Sequence, residues 1–278
     1  MQIENKQNFF LQSFGFIKKN YRKNPAYLFV YGLAYFLPDF SFKVDFYSGD
    51  EIKKLIEQGK SMIRYGDGEV WLMNHGNLGF QKFEPKIRKG LFDAIQDYNK
   101  TSPYIVGVNE LVMNKTNTFL KENNMLRLWL PMKVYYFMYF PKKMKYMDAS
   151  FFYYNENIQT YLAPALANKE IIFISRKETL EKIKNNPLYP YKEKTHFIET
   201  KSSNAFDDYK TICEQVDSTL SSLPKNAQPI IIAAFGAGTK VLAYEYSTKG
   251  IQALDIGTGI EILYQDTRID GILMSKDK

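Results

Sequence analysis

A chain of 278 residues has room for one large domain or two small ones, and 45% apolar with 24% charged residues excludes a disordered chain and a polytopic membrane protein. A single cysteine, Cys213, and two separated histidines, His75 and His196, exclude a disulfide framework, a thiolate zinc site and an HExxH centre, so any metal here would be bound by oxygen. The formal charge of +7 invites anionic partners, but only six of the 37 basic residues are arginine, which speaks against a base-reading surface, and no nucleic-acid partner is expected.

In chain order, residues 1–25 carry Lys6, Lys18, Lys19, Arg22 and Lys23 against Glu4, and the apolar run Ala26 to Leu37 follows, stopped by Pro38. Twelve residues are too few to span a bilayer, and no small-residue cleavage site follows. Two readings remain. One is a helix packed on the domain. The other is an interfacial segment whose lysines face anionic lipid while Tyr27, Phe29, Tyr31, Tyr35 and Phe36 sit at headgroup level, a peripheral membrane contact through the N-terminus. The layout divides into an N-terminal helical and aromatic extension, 1–50, and a main domain, 51–278.

Ser61 to Tyr65 reads as the first strand, Glu84 to Asn99 as a helix with Pro85 in its first turn, and Tyr104 to Val108 as a second strand. The segment Leu126 to Tyr154 is dense in Tyr, Phe and Met, and its periodicity fits strand and helix equally. Beyond it come strand Glu170 to Ser175, helix Lys177 to Lys184, strand His196 to Glu199, helix Ala205 to Leu223 with Asn204 as N-cap, strand Pro229 to Ala234, helix Gly238 to Thr248 and strand Ile251 to Ile256. Strands that are apolar throughout and alternate with helices predict an α/β fold, a Rossmann-like open, mostly parallel sheet with helices on both faces. Ligands of such sheets bind beyond the carboxyl ends of the strands, here the loops after Ile63, Ser175, Glu199, Ala234 and Asp255.

Three of those loops carry chemistry. Arg64-Tyr65-Gly66-Asp67-Gly68-Glu69 sets two carboxylates on either side of a glycine, a pattern that holds Mg²⁺ or Mn²⁺ while phosphates and water complete the shell; an ordinary Gly-Asp-Gly turn is the plainer alternative. Gly236 and Gly238 begin a GxGxxG that fails at Val241; a helix start with Thr239 and Lys240 could cradle a phosphate, and a tight strand-to-helix turn is the plainer alternative. Leu254-Asp255-Ile256-Gly257-Thr258-Gly259 imitates the first motif of S-adenosylmethionine methyltransferases, but too little chain follows to build their sheet behind it, so that activity is the less favoured reading.

Together, RYGDGE at Arg64 to Glu69, FQK at Phe80 to Lys82, Ser203-Asn204-Ala205-Phe206, and the block from Val241-Leu242-Ala243-Tyr244-Glu245 to Gln252-Ala253-Leu254-Asp255-Ile256-Gly257 resemble the bacterial GT-D-type glycosyltransferases, long labelled a domain of unknown function. The resemblance runs from about Met62 to Tyr264. It implies a GT-D-like fold and transfer of a sugar from a nucleotide-sugar donor, UDP-hexose before others, with Asp67 and Glu69 serving the metal, Mn²⁺ or Mg²⁺, and the diphosphate. The expected acceptor is a surface glycan, glycopeptide or lipid-linked acceptor, and the expected place is the cytoplasm, at the inner face of the membrane if the N-terminal segment is the interfacial one. Thr258 stands where relatives often carry histidine, and Arg176-Lys177-Glu178 replaces a glycine-rich pattern. Within this frame Gly66 is expected at the phosphates, Arg64 as a phosphate or carboxylate clamp or else paired with a structural acid, Asp255 or Glu261 as the base, and Asn204 at the donor base or ribose unless it only caps its helix. A non-catalytic nucleotide-binding or scaffold protein of the same fold is the alternative.

Overall fold

The computed structural model describes residues 24–257 and 259, except 39, 41, 42 and 188. Eight strands form one sheet in the order β1-β4-β3-β2-β8-β7-β5-β6: β1 Asp45–Phe46, β2 Ser61–Arg64, β3 Tyr104–Val108, β4 Lys145–Asp148, β5 Glu170–Arg176, β6 Thr195–Thr200, β7 Pro229–Ala234 and β8 Gln252–Asp255. Every pairing is parallel. The first four strands occupy one half and the last four the other, and the halves meet where β2 pairs β8, Met62 opposite Leu254.

The uniformly apolar strands are explained by burial on both faces, because successive side chains point to opposite sides. Ile63, Val106, Ile172, Ile174, Ile231, Ala233 and Ala253 enter one core. Met62, Ile105, Ile171, Phe173, Ile230, Ile232 and Leu254 enter the other. The helices Pro85–Gln96, Leu126–Tyr139, Tyr209–Ser222 and Ala237–Thr248 cover the first core. Gly49–Glu57 and Lys177–Asn185 cover the second, each with an apolar stripe such as Ile52 and Ile56. The sequence reading of an α/β sheet with helices on both faces is realised as three layers.

Differences from the expected elements have local causes. The ambiguous segment contains the helix Leu126–Tyr139, then β4. Every residue of that helix from Leu130 to Tyr136 is buried, on all of its sides, and all but Lys133 lack charge, which erases the periodicity that distinguishes helix from strand. Pro131 lies inside it, and its carbonyl accepts from the Tyr27 hydroxyl at 2.9 Å. Strand β1 and the helix Gly49–Glu57 escaped the sequence reading, although Ser48 and Glu51 form a reciprocal capping box there. Residues 205–208 form a 3₁₀ turn ahead of the helix Tyr209–Ser222, and the Asn204 side chain does not cap it.

The helix Pro25–Phe36 packs Tyr27, Tyr31 and Ala34 into the first core against the helix Leu126–Tyr139. Asn117 fastens its end by donating to the carbonyls of Ala34 and Leu37, the latter at 2.9 Å. No helix among the described residues is long and apolar enough to cross a membrane.

Lys133, on the helix Leu126–Tyr139, is fully buried, donates to the Lys115 carbonyl and lies over the Phe40 ring. Burial lowers its ammonium to about 8. A lysine whose pKa falls on folding leaves more protons on the unfolded chain, so stability rises with pH from about 8 towards the unfolded lysine value. Lys133→Met should therefore melt higher than wild type at pH 7, by roughly 1 kcal/mol in chemical unfolding, and should lose the gain in stability that wild type shows between pH 7.5 and 9.5.

Candidate active site

A cleft of about 530 Å³ opens at the carboxyl ends of the central strands, lined from β2 by Arg64, Gly66, Asp67 and Glu69, from β8 by Asp255 and Gly257, and from β7 by Phe235, Gly236 and Lys240. Ser175, Arg176, Thr200 and Lys201 enter from β5 and β6. The strand order produces this opening: where the two halves part at β2 and β8, the following loops diverge and leave a crevice.

Four buried charges lie at its floor. Asp255 is fully buried, and its Oδ1 accepts from Gly257 N–H at 3.2 Å and lies 3.4 Å from Arg64 Nη2. Its Oδ2 accepts from Arg64 N–H at 3.1 Å and lies 3.3 Å from Lys240 Nζ. Arg64 also donates through Nε to the Asp255 carbonyl at 2.8 Å and through Nη1 to the Ala149 carbonyl at 2.6 Å, with its guanidinium 5.1 Å from the centre of the Tyr153 ring. Burial opposes the charge on Arg64, but Asp255, Tyr153 and Glu69 outweigh it and raise its pKa. Lys240 follows the same logic: burial lowers, Asp255 and Glu69 raise, and the net direction is upward. Both cations stay charged.

Glu69 completes the group, with Oε1 3.2 Å from Lys240 Nζ and Oε2 accepting from Gly66 N–H at 2.8 Å. Asp67 and Glu69 thus sit in the first turn of the helix Asp67–Met73 and not in a loop, Glu69 reaching back to the residue that caps it. The G-x-x-E spacing from Gly66 was the signal for that helix. Asp67 faces the open cleft, accepts from Gly68 N–H at 2.9 Å and, among the described residues, has no cationic partner. Surrounding protein and then the charge of Glu69 push its carboxyl above the usual aspartate value.

The glycines have separate reasons. At Gly257 φ is +49°, and a Cβ would overlap the Arg64 guanidinium, so the Gly of the ALDIG block is required by the arginine of the RYGDGE block. Gly236, at φ +75°, turns the chain from β7 into the helix Ala237–Thr248 and faces the Phe80 ring. A Cβ at Gly238 would overlap the Phe235 ring and press on Phe206, and the Thr239 hydroxyl accepts from Phe235 N–H at 2.8 Å. Both Gly238 and Thr239 face inward and do not line the cleft, so the half-fingerprint there reflects aromatic packing.

Asn204 is likewise engaged elsewhere. Held at φ 50°, it donates its N–H to the Phe80 carbonyl at 2.7 Å and accepts from Lys82 N–H at 2.8 Å through Oδ1. It clamps the FQK segment and leaves Phe80 standing in the cleft, 52% exposed. The sequence reading missed Phe80 as a site residue and treated Lys240 only as a phosphate donor; a buried lysine pairing with residues 171 and 15 positions away has no local signature. Glu261 and Thr258 lie outside the described residues. His196 sits 3.6 Å from Glu170 at the amino ends of β6 and β5, His75 stacks against Phe83, and neither lines the cleft.

Asp67 and Glu69 fit a divalent cation through the oxygen lone pairs their hydrogen bonds leave over. No group of three or more His, Cys, Asp or Glu side chains among the described residues could hold a metal without help, so substrate oxygens would complete the shell, as Mg²⁺ or Mn²⁺ accepts. Removing Lys240 should expose the cost of the buried acids: Lys240→Met should destabilise by about 3 kcal/mol in denaturant unfolding at pH 7, and adding Glu69→Gln should recover part of that loss.

The sequence model of the family described as "Glycosyltransferase GT-D fold" matches residues 62–266. Among solved structures, the chain is similar to a glycosyltransferase (DUF1792) from Streptococcus sanguinis, with a TM-score of 0.64 and 18% identity over 79% of this chain and 84% of that one. It is also similar to the domain of unknown function 1792 described as having a distinct glycosyltransferase fold, with a TM-score of 0.62 and 18% identity over 85% of this chain and 84% of that one. No curated protein matches. The crevice between half-sheets, the RYGDGE and ALDIG blocks locked to one another across it, and a family match over most of the length lead to one conclusion: the chain belongs to the glycosyltransferase GT-D fold family.

Proposed function

We propose that the cleft binds a nucleotide sugar and that the protein is a metal-dependent glycosyltransferase, moving a hexose from a UDP-linked donor to a surface-glycan, glycopeptide or lipid-linked acceptor. The observation that carries the reading is the imbalance at the cleft floor. Three carboxylates, Asp67, Glu69 and Asp255, face two cations, Arg64 and Lys240, and the one acid without a cationic partner is the one that opens to solvent. Arg176 and Lys201 add positive charge from β5 and β6, so an exposed carboxylate beside Glu69, facing those two cations across the cleft, suits a divalent cation that arrives with its own anionic ligand.

A divalent ion held by Asp67 and Glu69 would supply charge neutralisation for the departing nucleoside diphosphate. The chain's own residues do the remaining work. Lys240 fixes the carboxylate of Glu69, and Gly66 N–H fixes its second oxygen, so the acid pair is oriented before substrate arrives. Phe80 offers an apolar face at the cleft wall to a nucleobase, held by the Asn204 clamp. The Ser175 and Thr200 hydroxyls line the same space. Asp255 has both oxygens committed to Arg64, Lys240 and two backbone N–H groups, so its proposed role is to position those cations rather than to take the acceptor's proton.

The direct test is release of UDP, or transfer to a sugar acceptor, from UDP-hexoses with Mn²⁺ and after chelation. Activity that persists in chelator would overturn the metal role, and binding of UDP without turnover of any nucleotide sugar would leave a scaffold protein instead. Asp67→Asn should abolish metal-dependent turnover while melting no lower than wild type. Because the folded carboxyl is raised above its unfolded value, its ionised form is disfavoured by folding above that pKa, so deleting the charge costs no stability at pH 7. Metal-induced thermal stabilisation should fade on acidification at a higher pH than an ordinary aspartate would give. Phe80→Ala should raise the donor KM about tenfold with kcat little changed, the pattern of lost uniform binding; an unchanged KM would remove Phe80 from the donor site.

A further inference from the structure

The helix Pro25–Phe36 has two apolar faces and no charged residue. One face, Tyr27, Tyr31 and Ala34, is in the core, which removes those tyrosines from any outward contact. The other turns to solvent: Phe29 is 67% exposed, Leu33 54%, Phe36 68% and the adjoining Leu37 52%. Their spacing of four, three and one places them on a single stripe. They are four of the six exposed large hydrophobic residues among those described; of the others, Phe80 is in the cleft and Leu128 adjoins Arg127. Surface helices in water put charge on such a face, and a contiguous exposed patch marks a contact site.

The chemistry around the stripe selects its partner. Lys18, Lys19, Arg22 and Lys23 precede Pro25 by no more than seven residues, so in any conformation they stay within about 25 Å of it. Glu4 is the only acid in the first 25 residues. The stripe itself offers roughly 450 Å² if each large side chain buries most of its surface, below the approximately 800 Å² per partner of a stable dimer. A narrow apolar strip beside concentrated positive charge matches an anionic bilayer, whose headgroup region accepts a few large side chains while basic residues remain at its surface.

We propose that Phe29, Leu33, Phe36 and Leu37 seat in the headgroup region of an anionic membrane, with the basic residues up to Lys23 holding the chain there. The contact does not involve the cleft and stands apart from the donor chemistry.

Flotation of the full-length chain with vesicles of phosphatidylcholine alone and of phosphatidylcholine with 30% phosphatidylglycerol tests it. Wild type should bind the anionic vesicles at least tenfold more. Phe29→Ser with Phe36→Ser should lower that binding at least tenfold, and Lys18→Gln, Lys19→Gln, Arg22→Gln and Lys23→Gln together should abolish the anionic preference, each charge being worth about fivefold. Melting of the serine variant at the wild-type temperature shows that it is folded. Independently, Phe29→Trp should give indole emission that shifts to the blue on anionic vesicles. Equal binding to both vesicles, binding to neither, an unchanged serine variant or an unshifted indole would each overturn the proposal. A vesicle-independent dimer that the serine pair dissolves would assign the stripe to a second copy.

Discussion

Arg64, Asp255, Lys240 and Glu69 form a chain of opposite charges buried at the seam between the two half-sheets, and the geometry of the cleft depends on it. None of the four could be buried singly without a cost of several kcal/mol; together each charge has a partner of opposite sign, and both carboxylates also accept from backbone N–H groups. Because Arg64 comes from β2, Asp255 from β8, Lys240 from the helix after β7 and Glu69 from the helix after β2, satisfying their charges fixes four elements relative to one another. The requirement reaches the backbone. Gly257 lies against the guanidinium, where a side chain would collide.

With those four committed to each other, the cleft is left with groups of a different kind. Asp67 faces solvent with a carboxyl pushed upward by its surroundings and by Glu69. Phe80 stands on the wall because Asn204 grips its carbonyl and the Lys82 N–H just beyond it. Arg176, Ser175, Thr200 and Lys201 border the space from the second half-sheet. The interior network fixes the elements around the cleft, and Glu69 belongs both to it and to the cleft lining, as in a preorganised site built at the end of a parallel sheet.

A separation of faces governs the N-terminal helix. Its Tyr27 and Tyr31 enter the core beside the helix Leu126–Tyr139, while Phe29, Leu33 and Phe36 on its opposite side are exposed. Hydrophobic periodicity alone does not distinguish these two sides, since both are apolar; only the position of the neighbouring helix does.

The sequence by itself determined the fold class, because strands such as Ile171–Ile174 and Ile230–Ala233 are apolar at every position and only a sheet covered on both faces buries them so. It pointed to where the cleft opens, since RYGDGE and ALDIG each carry the chain out of a strand's carboxyl end. That Asp67 and Glu69 line that cleft was legible for the same reason. What it left open was decided by contacts between residues distant in the chain. Lys240 neutralises Glu69 and Asp255, Asn204 clamps the loop of Phe80, Gly238 makes room for an aromatic ring, and the helix Leu126–Tyr139 is buried on all sides from Leu130 to Tyr136. Local patterns record which side chains avoid water. They do not record which charge meets which, and that follows only when the strand order brings β2 and β8 together and the low-polarity interior between them obliges every buried charge to find its opposite.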